Sequence, residues 1–308
     1  MAKAKFTSLI HNGVVFPSPF EGYPADVKNK TPFLKSLNPL AEEMFFHYAT
    51  KRDTDYVKDS VFNKNFYDDL KLQLAPEFKT RKFPQDFKQD IDIIFDWNVL
   101  RKEQKKEYNK AHKDEIKAQK DAIKAKYSVA ILDGKEQPVG IYTIEAGGIF
   151  MGRGKCPIRG CWKYQAQPED IDINFIGPKD KVPQPPAGHH WRNVFANGNV
   201  YSIGGYDINV GNKTSKHKDL LFAATSDVRM NAEQKKYEKA TKLVKNWSTV
   251  EQYIQNGLKS SNKMTRECAA IAWLIQNTAI RVGNERDEFE SQEVVGASTL
   301  KIKNIKIF

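Results

Sequence analysis

Residues 144–165 have the sequence IEAGGIFMGRGKCPIRGCWKYQ, and the rest of the chain is best understood outward from this segment. Glycines that permit a close backbone approach stand at positions 147, 148, 152, 154 and 160. Four cations are interleaved with them: Arg153, Lys155, Arg159 and Lys163. The spacing matches neither a Walker A loop nor a dinucleotide fingerprint. It favours a basic loop that contacts a phosphate backbone, and the alternative is a surface turn with solvated charges.

Strand-like runs surround this loop and predict a β-rich block from about 127 to 225, preceded by a strand and turn in the first 23 residues or so. Asp133-Gly134 predicts a hairpin between two β-rich runs. IDINFI (171–176) predicts a strand, and VFANGNVYSI (194–203) predicts a second hairpin with residues 197–199 at its tip. KDLLFAA (218–224) completes the block.

Helical spacing dominates residues 39–98, and residues 99–126 continue as a stretch with ten Lys or Arg against five acids. This stretch lacks Gly and Pro and is rich in strong helix formers. A helix that is polar on nearly every side cannot lie in a core. We therefore expect one helix or a helix pair that projects into solvent, as a spacer rather than as a direct base contact.

The last part of the chain is also predicted to be helical. Asn231 with Gln234 and Ser248 with Glu251 resemble capping boxes, the second for a helix that ends at Gly257. An apolar helix is expected over 262–282, ended by Gly283. The final ASTLKIKNIKIF (297–308) alternates like a strand, which predicts an edge that continues or is covered by another polypeptide.

Charge is the most informative property of the composition. The 308 residues hold 49 Lys and Arg against 38 acids, a net charge of +11 with a pI near 9.3. This balance favours a polyanionic partner, because each cation near a phosphate displaces a condensed counterion. An acidic membrane surface is a weaker alternative, since no basic amphipathic helix stands out. No stretch approaches the ~20 apolar residues of a membrane span, and no secretory signal is visible.

Three cysteines are too few for a disulfide framework and favour a reducing compartment. Cys156 and Cys161 with His189 and His190 could be drawn as a zinc site, but their spacing matches the usual ligand patterns poorly. The sequence therefore predicts no metal, and it assigns the two histidines to hydrogen bonding within their loop.

Arg281 stands in TAIRVGNERDE, in the predicted last turn of the apolar helix. A cation there interacts favourably with the helix dipole, which is the purely structural interpretation. The flanking Ile280 and Val282 predict burial, and a buried arginine needs an anionic partner. Nearby carboxylates and a phosphate are both possible partners, so residue types leave the choice open.

Seven segments, in this order along the chain, resemble the DNA-binding core of eukaryotic-type DNA topoisomerase I, the type IB enzymes. They are HNGVVFP (11–17), IEAGGIFMGRGKCP (144–157), QPEDIDINF (167–175), KVPQPPAGHHW (181–191), KKYEKATKL (235–243), AIRVGNERDE (279–288) and VVGASTL (294–300). The resemblance implies a clamp around duplex DNA and a tyrosine that attacks a backbone phosphate. A transient 3′-phosphotyrosyl break then lets supercoils relax, without ATP, metal or other cofactor.

Residue by residue, the resemblance implies that Arg281 is a catalytic arginine that binds the non-bridging phosphate oxygens. Arg153 matches an arginine that reaches the minor groove, and Asn284 matches an asparagine near the DNA backbone. Lys218 and Arg229 fall where the family has basic DNA contacts. Lys155, Arg159 and Lys163 complete the predicted DNA-binding set. Met151 and Cys156 depart from the family pattern, which predicts weaker minor-groove contacts.

The resemblance also implies the architecture, an α+β fold with a two-part cap lobe followed by the start of a mainly helical catalytic lobe. The expected β-rich cap comprises 1–23 and 128–225, the helical cap with long charged helices 24–127, and the beginning of the catalytic domain 226–308. Localisation is expected at the chromosome in the nucleus for a eukaryotic host, and otherwise in the cytoplasm, nucleoid or a virus.

The family's catalytic lysine, second arginine, histidine and tyrosine are expected after the position that Phe308 matches, and none of the twelve tyrosines has the Ser-Lys-x-x-Tyr setting. We therefore expect a truncated gene product or one subunit of a split enzyme, which binds duplex DNA but does not cleave it. A second polypeptide would supply the missing residues. The alternative is a stand-alone DNA-binding protein that retains the clamp without the chemistry, and RNA binding is a weaker third hypothesis, since no RNP-type aromatic motif is present.

Overall fold

The computed structural model describes residues 5–152, 154, 156–211, 213–283 and 295–306. Helices make up 49% and strands 15% of it, which confirms the α+β class. The chain divides into two compact units, one formed by Met1–Gly152 with Ile158–Met230 and the other by Arg153–Pro157 with Asn231–Phe308.

Residues 25–127 are mainly helical, and we call them the helical half. Its helices are α1 (Ala25–Lys28), α2 (Pro32–Ser36), α3 (Pro39–Ala49), α4 (Ser60–Lys71), α5 (Lys88–Ala111) and α6 (Lys113–Tyr127). Side chains that precede three of them accept hydrogen bonds from otherwise unpaired backbone N–H groups: Thr31 for α2, Asn38 for α3 and Asp59 for α4.

Aromatic side chains fill the core between these helices. Phe33 packs edge-on against Phe45 and Phe87, with ring centroids 5.0 and 4.7 Å apart. Tyr48 stacks on Phe66 at 4.6 Å, and its hydroxyl donates a hydrogen bond to Asn63. The core therefore combines large apolar area with rings held in preferred orientations.

The polar stretch of residues 99–126 forms the second half of α5 and most of α6, which confirms the predicted helix pair. α5 buries Ile91 and Ile94 in its first half, whereas α6 buries no residue. The break falls at His112, whose backbone N–H donates to the carbonyl of Tyr108. The change from a buried to an exposed helix follows the loss of apolar residues along the sequence.

A three-stranded antiparallel sheet has the order β1 (Leu9–His11), β2 (Val129–Leu132) and β3 (Lys135–Pro138). The hairpin predicted at Asp133-Gly134 is confirmed, and both residues have positive φ, 47° and 79°. The Asp133 carboxylate also accepts hydrogen bonds from the backbone N–H groups of Thr7 and Ser8. The turn therefore joins the start of the chain to the β-rich block.

The second sheet has six strands: β4 (Gly148–Ile149), β5 (Trp162–Lys163), β6 (Ile171–Asn174), β7 (Asn193–Phe195), β8 (Ser202–Val210) and β9 (Thr214–Leu221). Its order is β4-β5-β8-β6-β7, and β9 pairs with β8 as a further neighbour outside this path. The longest pairing is the antiparallel β8–β9 hairpin, whose last paired residues are Val210 and Thr214.

The hairpin predicted over residues 194–203 is wrong, because β7 pairs with β6 in parallel and β6 lies between β7 and β8. The side chain of Asn174 explains the difference. Its oxygen accepts from the N–H of Asn197 at 2.9 Å, and its nitrogen donates to the carbonyls of Asn197 and Ser202. These long-range bonds fix the Asn-Gly-Asn segment on β6, where it cannot form a two-residue turn.

The helices of the last part are α7 (Asp227–Lys245), α8 (Trp247–Leu258) and α9 (Lys263–Thr278). Both predicted capping boxes are wrong, since α7 already begins at Asp227 and Asn231 lies inside it. Ser248 lies inside α8, whose N-cap residue is Asn246. The start of α9 is confirmed, because the Asn262 side chain accepts from the N–H of Thr265.

α8 and α9 pack where Gly257 meets Ala269, and a Cβ on Gly257 would lie 2.7 Å from the Ala269 methyl group. Ala269 is the buried residue of α9, and Met264 has 73% of its surface accessible. An apolar groove of about 500 Å³ runs between the two helices, past Tyr253 and Cys268.

The strand predicted over residues 297–308 is also wrong within its described part. Residues 297–299 and 302–304 form short 3₁₀ turns. A strand needs a neighbour to pair its backbone and to bury one face, and Ile302 is instead 91% exposed. Among the described residues, the alternation therefore has no sheet to join.

Within the described residues, no helix combines the length and the apolar character that a bilayer crossing requires.

Gly160 offers a test of the close packing between α4 and residues 144–165, which we call the glycine-rich segment. Its φ is +91°, and an added Cβ would overlap the carbonyl oxygen of Phe62. We expect Gly160→Ala to lower the free energy of unfolding by about 3 kcal/mol, from backbone strain and overpacking together. Gly188 has a similar φ of +83° with open space around it, so Gly188→Ala should cost only about 1 kcal/mol. Urea unfolding measures both, and equal losses would contradict the packing argument.

Candidate nucleic-acid interface

The glycine-rich segment is closed at its base by a short ladder. The N–H of Phe150 donates to the carbonyl of Cys161, and the N–H of Gly160 donates back to the carbonyl of Phe150, both at 2.8 Å. Gly152 and Gly154 have φ of 64° and 57°, a region that residues with a Cβ rarely adopt. Arg153 and Lys155, predicted to bind DNA on this segment, lie outside the described residues.

Arg159 is held by a carboxylate of the helical half. Its Nε lies 2.6 Å and its Nη2 2.9 Å from the two oxygens of Asp59. Only 15% of the Arg159 side chain is exposed, and the hydrogen bond from it is the main cause that lowers the pKa of Asp59. This bidentate pair fastens the segment to the N-terminus of α4. A contact of Arg159 with DNA stays a prediction.

Lys163 and Lys218 are brought together by the second sheet. Lys163 pairs with Val210 of β8, and Lys218 pairs with Tyr206 of the same strand. Val210 and Tyr206 are four residues apart, and residues an even number apart on a strand share a face. The side chains of Lys163 and Lys218 therefore lie on one face of the sheet. Between them stands Glu145, whose carboxylate lies 3.2 Å from the ammonium of Lys163 and 3.3 Å from that of Lys218.

Lys216 lies two residues before Lys218, on the same face of β9, and was not predicted as a DNA contact from the sequence. It pairs with Ile208, and its ammonium lies 5.4 Å from the centroid of the Phe150 ring. The spacing of Lys216 and Lys218, two residues apart on a strand, could have indicated a shared face. We call Lys163, Lys216 and Lys218 the basic face.

The basic face carries more positive than negative charge. Among the described residues, three ammonium groups share this face with one carboxylate, that of Glu145. Burial raises the pKa of this carboxyl group, but hydrogen bonds and charge from Lys163 and Lys218 outweigh it and lower the pKa overall. Glu145 is therefore ionised at neutral pH and still leaves the face with an excess of cations. Such a face suits phosphate oxygens, which accept the same hydrogen bonds as a carboxylate.

The opposite face of the same sheet is balanced in charge. Arg192 makes ion pairs with Asp172 and Asp207, and the hydrogen bonds that its guanidinium donates to them raise its pKa. His217 places Nδ1 2.8 Å from an oxygen of Asp207. Because its cations are taken up by carboxylates, this face offers less attraction to a phosphate backbone than the basic face does.

His189 and His190 are hydrogen-bonded, as predicted, but their partner is Glu169, which lies before the proline-rich loop rather than within it. His189 Nδ1 lies 3.0 Å from an oxygen of Glu169, and the backbone N–H of His190 donates to the same carboxylate. Cys156 and Cys161 are buried thiols. Across the described ranges, no three His, Cys, Asp or Glu side chains are placed to hold a metal ion.

Arg229 lies in the first turns of α7, half-buried, and its guanidinium donates to the carbonyl of Phe222 at 3.0 Å. This bond joins the start of the helix to the end of the β-rich block. The DNA contact predicted for Arg229 is not tested by this placement.

Arg281 does not lie in a last helical turn, so that prediction is wrong. α9 ends at Thr278, and Ala279 follows with a φ of 54°. The burial predicted from its neighbours is also wrong, since Arg281 is exposed and Val282 is 60% exposed. The carbonyl of Arg281 accepts from the N–H of Ala297 at 2.7 Å, which holds the backbone in place.

In the part of the chain that is described, no carboxylate pairs with the Arg281 guanidinium. Asn284 lies outside the described residues, and so do the nearby acids Glu285, Asp287 and Glu288.

Two family models cover almost the whole chain. The model described as "Eukaryotic DNA topoisomerase I, DNA binding fragment" matches residues 4–220, and the one described as "Eukaryotic DNA topoisomerase I, catalytic core" matches residues 225–308. The chain therefore belongs to the eukaryotic DNA topoisomerase I family, as its sequence motifs indicated.

The sequences of individual relatives align with 98% of this chain. DNA topoisomerase 1 of Mycosarcoma maydis is 34% identical, DNA topoisomerase 1 beta of Arabidopsis thaliana 30%, and DNA topoisomerase 1 of Homo sapiens 30%. The chain spans 30%, 32% and 39% of the length of these relatives, respectively.

Glu145 provides a test of the basic face. We expect Glu145→Gln to strengthen duplex DNA binding about threefold at low salt, because it removes the one anion that competes with phosphate for Lys163 and Lys218. The gain should vanish at high salt, where exposed charges are screened. Fluorescence anisotropy with a labelled duplex measures it. Glu136→Gln makes the same charge change on exposed β3, and an equal gain there would contradict a local role for Glu145.

Proposed function

We propose that this chain is the DNA-binding part of a type IB DNA topoisomerase and that it binds duplex DNA through the basic face. The observation that carries the proposal is the excess of ammonium groups of Lys163, Lys216 and Lys218 on one side of one sheet. Membership of the topoisomerase I family supports duplex DNA as the polyanion.

Binding of this kind needs no recognition of sequence. Lysine is a flexible point charge that meets phosphate oxygens in several geometries, so it fixes position along the backbone without reading bases. The glycine-rich segment begins beside this face, since Phe150 lies under Lys216. We therefore assign Arg153 and Lys155 of that segment to DNA as well, together with Lys218, Arg229 and Asn284.

Catalysis is assigned to Arg281. Its exposed guanidinium could donate two hydrogen bonds to the non-bridging oxygens of the scissile phosphate and stabilise the extra charge of the pentacoordinate transition state. The reaction would be the transient 3′-phosphotyrosyl break of the type IB enzymes. A tyrosine oxygen bonds to phosphorus and the 5′-oxygen leaves with a proton, and religation reverses both steps.

The 308-residue chain by itself should bind duplex DNA without cleaving it, since Arg281 is the one residue in it to which we assign catalysis. A second polypeptide with the remaining catalytic residues would then complete the enzyme, and its site of action would be the chromosome in the nucleus. The alternative, a non-catalytic DNA-binding protein of the same fold, differs only in lacking such a partner.

DNA binding by the chain is testable through its salt dependence. With three phosphates neutralised by the basic face, log K should fall with log salt with a slope of roughly −3 or steeper. The double variant Lys216→Gln with Lys218→Gln should make the slope shallower by about 2. Lys35→Gln with Lys58→Gln removes the same charge from exposed helical positions, and it should change the slope little.

The same preparation should leave supercoiled plasmid unrelaxed. A failure to bind duplex DNA would refute the proposed function, and relaxation by the purified chain would refute its inactivity. An unchanged slope in the Lys216 and Lys218 variant would move the interface elsewhere.

The role of Arg281 is testable once the chain is combined with a polypeptide that restores relaxation. We expect Arg281→Ala to lower the cleavage rate at least 100-fold, the scale for the loss of one transition-state donor. The Kd for duplex DNA should rise no more than about threefold, as for one exposed charge. Single-turnover cleavage and anisotropy measure the two quantities. Equal losses would make Arg281 a binding residue instead.

A further inference from the structure

One face of α4 carries polar side chains that bond to the β-rich block rather than to the helical half. Asp59, at the N-cap, and Asn65 and Asp69, on later turns, make up this set, which we call the anchor face. Asn65 and Asp69 are only 5% and 6% exposed. Buried polar groups are costly unless they are hydrogen-bonded, so their partners define what the face does.

Asp59 serves two purposes with one carboxylate. Its Oδ1 accepts from the N–H of Val61 at 2.8 Å and caps the helix, while both oxygens bind the guanidinium of Arg159. The position of Arg159 is thus tied to the first turn of α4.

Asn65 bonds to both connections that flank the basic face. Its Nδ2 donates to the carbonyl of Arg159 at 2.8 Å, near the end of the glycine-rich segment. Its Oδ1 accepts from the ammonium of Lys213 at 2.8 Å, in the turn of the β8–β9 hairpin.

Asp69, one helical turn after Asn65, also contacts both the glycine-rich segment and the β8–β9 turn. Its Oδ2 accepts from the N–H of Trp162 at 2.7 Å, the residue before Lys163. A Cβ on Gly211 would lie 3.1 Å from the same oxygen, so the hairpin turn also closes against this carboxylate. Burial is the main cause that raises the pKa of Asp69, opposed by the Trp162 hydrogen bond and the charge of Lys213.

We propose that the anchor face positions the glycine-rich segment and the β8–β9 turn for DNA without touching DNA itself, so that Asp59, Asn65 and Asp69 are positioning residues of the interface. This inference rests on the proposed function. It follows from the chemistry of Asp59 and Asp69, since carboxylates repel phosphate and can favour its binding only through the groups that they hold. Asn65 is 5% exposed, and its amide is bonded to the Arg159 carbonyl and the Lys213 ammonium. A segment fixed before binding loses less conformational entropy when DNA arrives.

The charge of Asp59 allows a test by the direction in which DNA affinity changes when that charge is removed. If Asp59 acted only through its field, Asp59→Asn would strengthen DNA binding by removing a negative charge. Positioning requires the opposite result, because the neutral amide holds the Arg159 guanidinium more weakly. Asparagine caps helices as well as aspartate does, so α4 itself should remain intact.

Asn65→Ala is the second variant, and Asn63→Ala is its matched control on the same helix. Asn63 also makes two hydrogen bonds, to the hydroxyl of Tyr48 and the carbonyl of Val57, but both stay within the helical half. Amide hydrogen exchange at residues 158–163 of the free protein and the Kd for a labelled duplex are measured for each variant.

We expect Asp59→Asn and Asn65→Ala to speed exchange at residues 158–163 about tenfold, as local opening becomes easier. The Kd for duplex DNA should rise about fivefold in both. Asn63→Ala should leave the exchange rate in this segment and the Kd within about twofold of the wild-type values. This should hold even if Asn63→Ala lowers the unfolding midpoint as much as Asn65→Ala does.

Tighter DNA binding by Asp59→Asn would overturn the inference, as would faster exchange without any loss of affinity. Equal effects of Asn63→Ala and Asn65→Ala would reduce the anchor face to general stability. If the wild-type chain fails to bind duplex DNA, the proposed function falls, and the exchange data still show whether the anchor face holds the segment.

Discussion

The burial of Trp162 is the constraint on which the candidate interface depends. Its side chain belongs to the aromatic core of the helical half and packs edge-on against His47 at 5.5 Å, while its backbone N–H bonds to Asp69. Because side chains alternate along a strand, a buried Trp162 directs Lys163 to the other face. One apolar anchor therefore fixes the direction of a cation, and the sheet register extends that direction to Lys216 and Lys218.

The two faces of this sheet show how pairing, rather than the number of cations, gives a surface its electrostatic character. Arg192 on one face is shared between Asp172 and Asp207, whereas on the other face Lys163 and Lys218 share Glu145 and Lys216 lies over the Phe150 ring. A phosphate gains most where ammonium groups outnumber carboxylates. The +11 net charge of the chain is thus accompanied by a local excess of positive charge on the basic face.

Arg281 owes its accessibility to the end of α9. A left-handed Ala279 turns the chain after Thr278, and the hydrogen bond from Ala297 then holds the Arg281 carbonyl. Residue types had left open whether a carboxylate or a phosphate meets this guanidinium. Among the described residues it meets no carboxylate, and Glu285, Asp287 and Glu288 lie outside them.

The sequence by itself determined the features that depend on local chemistry. These are the α+β class, the exposed helix pair, the Asp133-Gly134 turn and the family, since propensity, polarity and motifs act over short distances. Only the tertiary structure decided which cations stay accessible. Arg159 lies against Asp59, 100 residues away, and Asn174 prevents a hairpin by bonds across 23 residues. Such long-range bonds depend on which strands become neighbours, and a local sequence pattern does not contain that information.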